Sequence, residues 1–219
     1  MFHTIPVVMR KKIGKEAILR IVFSELYKGN TNLNIREIAS KAGVSIGLMY
    51  YHFKDLDAVY EEIHALYLEN VAQILRPLKA ELSPLCYEMT HQLLHIELNQ
   101  LHPKISHLFI DCLDSYFVYL KDAVELVFQE FNIHIPEDQL LLEARFYEGR
   151  LIGITQALLE NPDAYEALEL VSLVFSRLLN PYGVPADEIE KCKSKALTFV
   201  NNAMKEKSIT QWFFPEKRE

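Results

Sequence analysis

Residues 34–54 constrain this chain more than any other stretch, because their local signals specify two short helices joined by a tight turn. Asn34 is placed to cap the first helix. Apolar residues then recur at helical spacing on one face, namely Ile35, Ile38, Ala39 and Ala42. Gly43 follows as the left-handed residue that commonly ends a helix. The pattern predicts the first half of a helix-turn-helix.

The second helix of this motif is predicted to begin after Ser45, which is placed to cap it. Val44 enters the small core, and Met49 and Phe53, four residues apart, form the inner face of the helix. The residues that point away from this core are Ile46, Gly47, Tyr50 and Tyr51. In a DNA-binding protein, such outward residues face the groove.

The order Ala-Gly-Val-Ser followed by Tyr-x-His-Phe resembles the signature of the TetR family of bacterial one-component regulators. The residues that carry the resemblance are Ile38, Ala39, Ala42, Gly43, Val44, Ser45, Gly47, Tyr50, Tyr51, His52, Phe53 and Lys54. The resemblance implies an N-terminal DNA-binding head and a larger helical body that binds an effector and dimerises.

The resemblance also implies roles within the head. Arg36 is expected to contact bases or phosphates, and Ile46 and Gly47 to enter the major groove. The sequence departs from the family where Ile46 and Leu48 are apolar and where Leu56 replaces a common Lys. Phosphate contacts are implied for Tyr50, Tyr51, His52 and Lys54. The predicted DNA-binding residues are Asn34, Arg36, Ser45, Ile46, Gly47, Tyr50, Tyr51, His52 and Lys54.

Charge is distributed unevenly along the chain. The net charge is −7, yet residues 1–54 hold nine Lys or Arg against three Glu, a balance of +6 that leaves −13 for the remainder. A basic head on an acidic body favours phosphate binding at one end, although exposed helices are often charged without binding anything. The basic residues between positions 10 and 15 would form either an arm over the DNA backbone or a frayed terminus.

The sequence predicts an all-α protein, with an N-terminal three-helix helix-turn-helix head joined to a larger helical ligand-binding and dimerisation domain. The predicted domains are residues 1–54 (the head), 55–207 (the body) and a tail at 208–219. Helices outside the motif are predicted at residues 9–28, 56–76, 85–101, 103–112, 114–131, 137–160, 162–179 and 186–205. Predicted inner stripes are Ile13, Ala17, Ile21 and Phe23 or Ser24 in the first of these, and Val59, Ile63, Leu66, Val71 and Leu75 in the second.

Cysteine usage and hydropathy indicate a cytoplasmic protein. Cys86, Cys112 and Cys192 are odd in number and widely spaced, which favours reduced thiols. No signal-like segment and no apolar run of about 18 residues occurs, so no membrane association is expected.

Two late segments, residues 140–159 and 165–179, carry more apolar surface than one buried stripe requires. Gly149 and Gly153 would let another helix approach closely. The family resemblance implies a two-fold, four-helix interface in this region, so a homodimer through helices within residues 137–180 is predicted. The alternative, that these helices are central to the monomer, stays open.

Aromatic and polar residues of the body form a candidate effector site, because apolar walls with a few polar groups describe most small-molecule sites. The candidates are Tyr67, Tyr87, His91, His95, Phe109, Tyr116, Phe146 and Arg150. Each is also compatible with ordinary packing. Arg150 and Glu148 require partners, because they are charges in an otherwise apolar helix. The resemblance implies an inducer pocket here without naming its ligand.

Other chemistries have little support. His91 and His95, with Glu88 a turn earlier, have spacing suited to a metal ion, but no second Cys or His pair supports such a site. No Gly-rich phosphate loop, Gly-x-Ser-x-Gly elbow or His-Glu-x-x-His helix occurs. We therefore predict no metal, no cofactor and no enzymatic activity.

The sequence thus predicts a ligand-responsive homodimeric transcriptional regulator, specifically a repressor that a small apolar or aromatic effector releases from an inverted-repeat DNA operator. The alternative is an all-helical ligand-binding or scaffolding dimer with little specific DNA affinity, which the apolar Ile46 and Leu48 favour. In the tail, Trp212, Phe213 and Phe214 are expected either to fold back onto the body or to bind a partner.

Overall fold

The structure is a computed structural model that describes residues 14–101 and 117–206. Within those two ranges the protein is α-helical and contains no β-strand, which confirms the predicted fold class. The helices are α1 (Lys15–Tyr27), α2 (Ile35–Ala42), α3 (Ile46–His52), α4 (Leu56–Leu75), α5 (Pro84–Leu101), α6 (Phe117–Glu130), α7 (Glu137–Glu160), α8 (Ala167–Leu179) and α9 (Ala186–Glu206). The helix predicted at 103–112, the basic residues 10–12 and the tail lie outside the described residues.

Short 3₁₀ helices follow α4 at Arg76–Ala80 and α8 at Asn180–Tyr182. None of the described helices is both long and apolar enough to cross a lipid bilayer. Packing divides the chain into two compact units, Met1–Glu62 and Ile63–Glu219, and the division falls within α4. The functional boundaries proposed at residues 54 and 207 remain predictions.

The helix-turn-helix forms through the predicted caps. The Asn34 side-chain oxygen accepts hydrogen bonds from the backbone N–H groups of Arg36 and Glu37. In return, the Glu37 carboxylate accepts a hydrogen bond from the backbone N–H of Asn34, which completes a capping box at the start of α2. Gly43 ends α2 with a φ of 64°, in the left-handed region. The Ser45 hydroxyl accepts a backbone N–H from the first turn of α3. These bonds define both ends of the turn.

A small apolar core fills the motif. Of its predicted members, Ile38, Ala39, Ala42, Met49 and Phe53 are buried, whereas Ile35 is only half-buried. Val44 is only half-buried, so its prediction as a core residue is wrong. The reason is that Val44 lies in the turn itself, where its N–H is bonded to the Ala39 carbonyl at 2.9 Å.

The start and the buried face of α1 differ from the prediction. Gly14 precedes α1 with an extended backbone, so the helix begins at Lys15 rather than at residue 9. The buried residues are Ile18, Leu19, Val22, Phe23 and Leu26. The predicted stripe is therefore wrong at Ala17 and Ile21, which are half-buried, whereas Phe23 is confirmed over its alternative Ser24. Ile13 lies outside the described residues. Because apolar residues occupy nearly every position from 17 to 23, spacing alone does not select the buried face.

Buried residues of α4 recur every four positions. Asp55 caps this helix by accepting the N–H of Ala58 at 2.9 Å. The residues facing the core include Val59, Ile63, Tyr67, Val71 and Leu75. Tyr67 takes the place predicted for Leu66, which is half-buried. Residues four apart are neighbours on a helix surface, so Tyr67 continues the buried row between Ile63 and Val71.

Within the second unit, α5 is the central helix, because it packs against α6, α7, α8 and α9. Its buried apolar residues include Leu85, Met89, Leu93, Leu94 and Ile96. Polar residues of the same helix are buried as well, namely Glu88, Thr90, His91 and Gln92. Since buried polar groups require partners, α5 determines where the polar centre of the body lies.

Two further predictions about the body are wrong. α8 begins at Ala167 rather than at Pro162, because residues 162–166 form turns in which the Ala164 N–H bonds to the Asn161 carbonyl at 3.1 Å. Cys86 and Cys192, predicted to be reduced thiols, form a disulfide bond. They are 106 residues apart in sequence, and only the packing of α5 against α9 brings them together.

Candidate DNA-binding and effector sites

α3 exposes large side chains that the fold of the motif does not cover. Tyr51 is 80 % exposed, Tyr50 is 59 % exposed and Ile46 is 42 % exposed, whereas Met49 is fully buried. Three large apolar or aromatic side chains on a helix of seven residues make a concentrated surface patch. Exposed patches of this kind usually contact a partner. We call Ile46, Gly47, Tyr50 and Tyr51 the reading face.

Gly47 lies on the reading face without a structural need for glycine. A Cβ added to it would meet only the Ser45 hydroxyl oxygen, at an ordinary contact distance of 3.8 Å. Glycine inside a helix costs about 1 kcal/mol relative to alanine. The fold therefore gains nothing from the missing side chain, which instead leaves the helix backbone open to a close approach from outside.

Most described cations of the head are already paired. Lys15 pairs with Glu62, Arg20 lies 2.9 Å from Glu16, and Lys28 and Lys41 share the Glu25 carboxylate at 3.0 and 2.8 Å. Lys41, followed by Lys28 and Asn30, lowers the pKa of Glu25 to about 2. The positive balance of the head is thus partly neutralised within the fold.

Arg36 and Lys54 are the exceptions to this pairing. Among the Lys and Arg residues of the head that the structure describes, Arg36 alone has no carboxylate within ion-pair distance. Its side chain is exposed on the first turn of α2. Lys54 is 90 % exposed and lies at the limiting distance of 4.0 Å from Asp55. Both cations are available to a phosphate or a base edge.

The other predicted DNA-binding residues have structural partners. Asn34 and Ser45 use their side-chain oxygens as helix caps. His52 is half-buried, with its ring 5.0 Å from that of Tyr51 in an edge-on arrangement. The contacts of these residues with DNA remain predictions.

In the body, the Glu88 carboxylate is the centre of a buried hydrogen-bond cluster. It accepts a hydrogen bond of 2.7 Å from the hydroxyl of Tyr119 on α6 and one of 3.1 Å from the hydroxyl of Tyr147 on α7. It also accepts one of 2.6 Å from the side-chain amide of Gln92. The Tyr119 hydroxyl also lies 3.3 Å from His91 Nδ1. One carboxylate therefore connects three helices in an apolar interior, and all three donors are neutral.

A second group of rings joins α4 to α5. The Tyr67 hydroxyl and His95 Nδ1 share a hydrogen bond of 3.0 Å, and the rings of His91 and His95 lie 4.9 Å apart. His64 stacks on Tyr67 with ring centroids 6.3 Å apart. We refer to His64, Tyr67, His91 and His95 as the histidine cluster.

Burial keeps the histidine cluster neutral. It lowers the pKa of His64 to about 4 from the ordinary value of 6.5. Burial also lowers the pKa of His91, against the opposing effect of Glu88, and it lowers that of His95, to which His91 and His64 add repulsion. Neutral imidazoles can donate and accept hydrogen bonds, so this interior offers polar groups without net positive charge.

The structure brings together only some of the predicted effector residues. Tyr67, His91 and His95 belong to one cluster, and Tyr87 stacks on His91 at 6.4 Å. Phe146 is exposed on the outer side of α7, so its prediction as an effector residue is unsupported by burial. Phe109 and Tyr116 lie outside the described residues.

The two charges singled out on α7 have different surroundings. Glu148 is buried and pairs with Arg145 at 2.8 Å. Arg150 is half-buried, and its Nη1 atom is buried without a hydrogen-bond partner in the described part of the chain. The guanidinium of Arg150 lies 6.0 Å from the centre of the Phe146 ring.

Sequence reasoning missed His64, Gln92, Tyr119 and Tyr147. A signal for part of this set was present on α5, where the polar residues Glu88, His91, Gln92 and His95 recur at positions i, i+3, i+4 and i+7. A polar stripe inside an apolar helix implies buried partners on neighbouring helices. Among the described residues, no group of three or more His, Cys, Asp or Glu is arranged to hold a metal ion.

Residues 26–63 match the model of the family described as bacterial regulatory proteins, tetR family. The match runs from the end of α1 into α4 and so contains the whole helix-turn-helix. These residues form a helix-turn-helix domain of the TetR family. The match supports DNA binding and transcriptional regulation, in the ligand-responsive mode.

Solved structures share the overall fold of this chain. A protein named as a transcriptional regulator from Pseudomonas aeruginosa PAO1 is 16 % identical, with a TM-score of 0.54, and the match covers 78 % of this chain and 91 % of the other. A protein named as a fatty acid metabolism regulator from Clostridium perfringens is 17 % identical, with a TM-score of 0.52 and coverages of 77 % and 98 %.

A third structure, RolR in complex with resorcinol, is 20 % identical, with a TM-score of 0.54 and coverages of 81 % and 90 %. At such identities the likeness shows a shared fold. No curated protein sequence matches the chain.

Proposed function

We propose that this TetR-family protein is a cytoplasmic, non-enzymatic homodimeric repressor, which binds an inverted-repeat operator through α3 and leaves it when the body binds a small apolar or aromatic effector. The observation that carries the proposal is the reading face, because Ile46, Tyr50 and Tyr51 are exposed on a helix whose inner side is fully anchored by Met49. A helix-turn-helix that exposes such a face is suited to the major groove.

The chemistry of this surface suggests how DNA is read. Gly47 allows the helix backbone to approach the bases, and Ile46 can contact thymine methyl groups. Arg36, which has no ion pair among the described residues, is the best candidate for a hydrogen bond to a base edge. Tyr50, Tyr51, His52 and Lys54 then contact phosphates, while Asn34 and Ser45 hold the helix ends in place.

Dimerisation is supported by the outer face of α7. Leu142 and Phe146 are more than half exposed there, and a Cβ added to Gly149 or Gly153 would meet nothing within 4 Å of the same chain. On α8, Leu173 is also exposed. Two glycines within one helix reduce its intrinsic stability, and contact with a second copy would offset that cost. A reading helix of two turns also needs a second head for useful affinity.

The effector site is proposed to involve the histidine cluster and its neighbours. Neutral imidazoles beside Tyr67 and Tyr87 suit a small aromatic molecule that carries hydroxyl groups. The resorcinol bound to RolR is a molecule of this kind, which makes resorcinol a rational first probe. Binding of the effector would favour a state of the dimer in which the spacing of the two heads does not match successive major grooves. Binding of the operator would favour the state in which the spacing matches.

The test is a footprint of the full-length protein on the DNA upstream of its own gene. We expect protection of an inverted repeat, with two chains bound per repeat by sedimentation analysis and with release by resorcinol or by a related phenol. Absence of protection at low salt would instead favour a helical ligand-binding or scaffolding dimer with little specific DNA affinity. Protection without release by phenols would contradict the proposed effector class alone.

A further inference from the structure

Cys86 on α5 and Cys192 on α9 form a covalent link inside the body. Their Cα atoms lie 4.7 Å apart, although 106 residues separate them in sequence. Both residues are buried, with 5 % and 3 % of their surface exposed. The bond therefore lies in the core, between two helices that also pack directly against each other.

The bond is attached to the helix that organises the polar centre of the body. Two residues after Cys86, Glu88 accepts hydrogen bonds from α6 and α7. At the same end of α5, the Leu85 N–H donates to the Glu130 carboxylate at the end of α6 at 2.8 Å. Opening the disulfide would free α9 from covalent attachment at the place where α5 holds its other neighbours.

The compartment in which DNA is read argues against a permanent disulfide. A transcriptional regulator meets DNA where small thiols keep most cysteines reduced, and disulfides found there are usually transient, catalytic or redox-sensing. The sequence contains no Cys-x-x-Cys pair of the kind used in redox catalysis. Redox sensing is the role that remains for a pair placed within bonding distance.

We propose that Cys86 and Cys192 are a reversible thiol–disulfide site through which a small disulfide, such as glutathione disulfide, alters operator binding. The proposal rests on the proposed DNA-binding function. In the oxidation step the two protein thiols react with one small disulfide, so that one S–S bond breaks, one protein S–S bond forms and two small thiols leave with the two hydrogens. Two electrons pass from the protein to the small disulfide, and reduction is the reverse.

The link between the bond and DNA binding is the range of arrangements open to the body. A closed disulfide restricts α9 relative to α5, whereas the reduced protein can also adopt arrangements in which the two helices separate. A repressor whose body controls its heads by a population shift responds to such a restriction. We therefore expect the oxidised and reduced forms to differ in operator affinity by about 5-fold or more.

The burial of both sulfurs sets the rate of the exchange. A small thiol reaches the bond only when part of α9 opens, so exchange is slower than at an exposed cysteine. Samples for equilibrium measurements must therefore be followed until the number of free thiols stops changing.

The experiment equilibrates the full-length protein in glutathione buffers from fully reducing to fully oxidising. Free thiols are counted by alkylation and mass spectrometry, and affinity for the footprinted operator duplex is measured on the same samples. We expect two thiols to disappear together and operator affinity to change over the same buffers. The Cys112→Ser variant should keep this response, whereas Cys86→Ser and Cys192→Ser should each lose it.

A bond that stays closed in every buffer, or that never forms, would overturn the proposal, as would equal operator affinity of the two end states. The wild-type series decides the matter if a Ser variant fails to fold. If neither form binds the duplexes, the proposed DNA-binding function fails and the regulatory proposal fails with it. The thiol counts would still show separately whether the pair exchanges.

Discussion

Gly43 and Gly47 lie four residues apart in the same motif, and the fold requires only one of them. Gly43 has a φ of 64° at the end of α2, a conformation that costs an L-residue about 1–2 kcal/mol. Gly47 is helical, and a Cβ there would meet no close neighbour. At the scale of the residue, Gly43 is required by the backbone conformation of the turn, whereas Gly47 shapes the exposed reading face.

Substituting each glycine with alanine should separate these roles. Gly43→Ala should lower the free energy of unfolding by about 1–2 kcal/mol. Gly47→Ala should leave it unchanged or raise it by about 1 kcal/mol, while operator affinity falls on the order of 10-fold because the added methyl group keeps the backbone from the bases. Urea unfolding and operator titration of both variants would measure this. Unchanged operator affinity in Gly47→Ala would remove Gly47 from the reading face.

At the scale of the element, α7 presents two different faces. Its inner face is buried and includes Leu140, Ala144, Tyr147, Leu151 and Leu158. Its outer face exposes Leu142 and Phe146 beside Gly149 and Gly153, whose missing side chains leave room for another helix. A helix that is apolar on both sides is usually covered on both sides, which is why we propose a second copy on the outer face.

Phe146→Asp should separate the proposed dimer, because it places an unpaired charge in an apolar interface. We expect the dimer Kd to rise roughly 100-fold, as measured by sedimentation equilibrium. Leu126→Asp is the matched control, since Leu126 is a similarly exposed apolar residue on α6 that lies outside this face. A wild-type protein that is monomeric at all concentrations, or a Phe146→Asp variant with unchanged mass, would contradict the interface.

The features of individual elements that could be predicted from the sequence depend on neighbouring residues. The capping box at Asn34, the turn at Gly43 and the cap at Ser45 each form within a few residues, so short motifs predict them. The buried face of α1 was missed because its apolar run allows several faces. The start of α8 was missed because a Pro that can begin a helix can also begin a turn.

At the scale of the whole molecule, the contacts that could not be predicted join distant segments. Glu88 meets Tyr119 and Tyr147 only because α5, α6 and α7 pack together. The same packing logic brings Cys86 to Cys192. Spacing within one helix identifies a residue that needs a partner, but the partner is selected by the tertiary arrangement. This is why the reading face was predicted in detail and the polar interior was predicted only in part.

The histidine cluster should make the stability of the protein depend on pH in a defined window. His64 has a pKa of about 4 in the folded protein, whereas an unfolded His titrates near 6.5. Below pH 6.5 the unfolded state therefore binds more protons, and the free energy of unfolding falls as the pH drops. For His64 alone the loss is roughly 2 kcal/mol at pH 5.

Urea unfolding between pH 7 and pH 5, at one protein concentration, would measure this dependence. His64→Leu should make the fall less steep by the share of His64, while His91 and His95, whose pKa values are also lowered by burial, keep the rest. The lowered pKa of Glu25 acts below its ordinary value of 4.5, where stability is lost as the carboxylate is protonated, so it does not contribute in this window. An equally steep fall in the His64→Leu variant would show that His64 is not the group responsible.

The most direct test of the proposed DNA-binding surface is the salt dependence of operator affinity in the wild-type protein and in Arg36→Ala. We expect the wild type to prefer the operator over a scrambled duplex and to lose affinity steeply with salt. Arg36→Ala should lose about 1–3 kcal/mol of operator binding and part of its preference over the scrambled duplex. The matched control Arg20→Ala should change little, because Arg20 is paired with Glu16. Equal wild-type affinity for both duplexes would contradict sequence-specific reading by this head, and an unchanged Arg36→Ala variant would contradict the role of Arg36 in it.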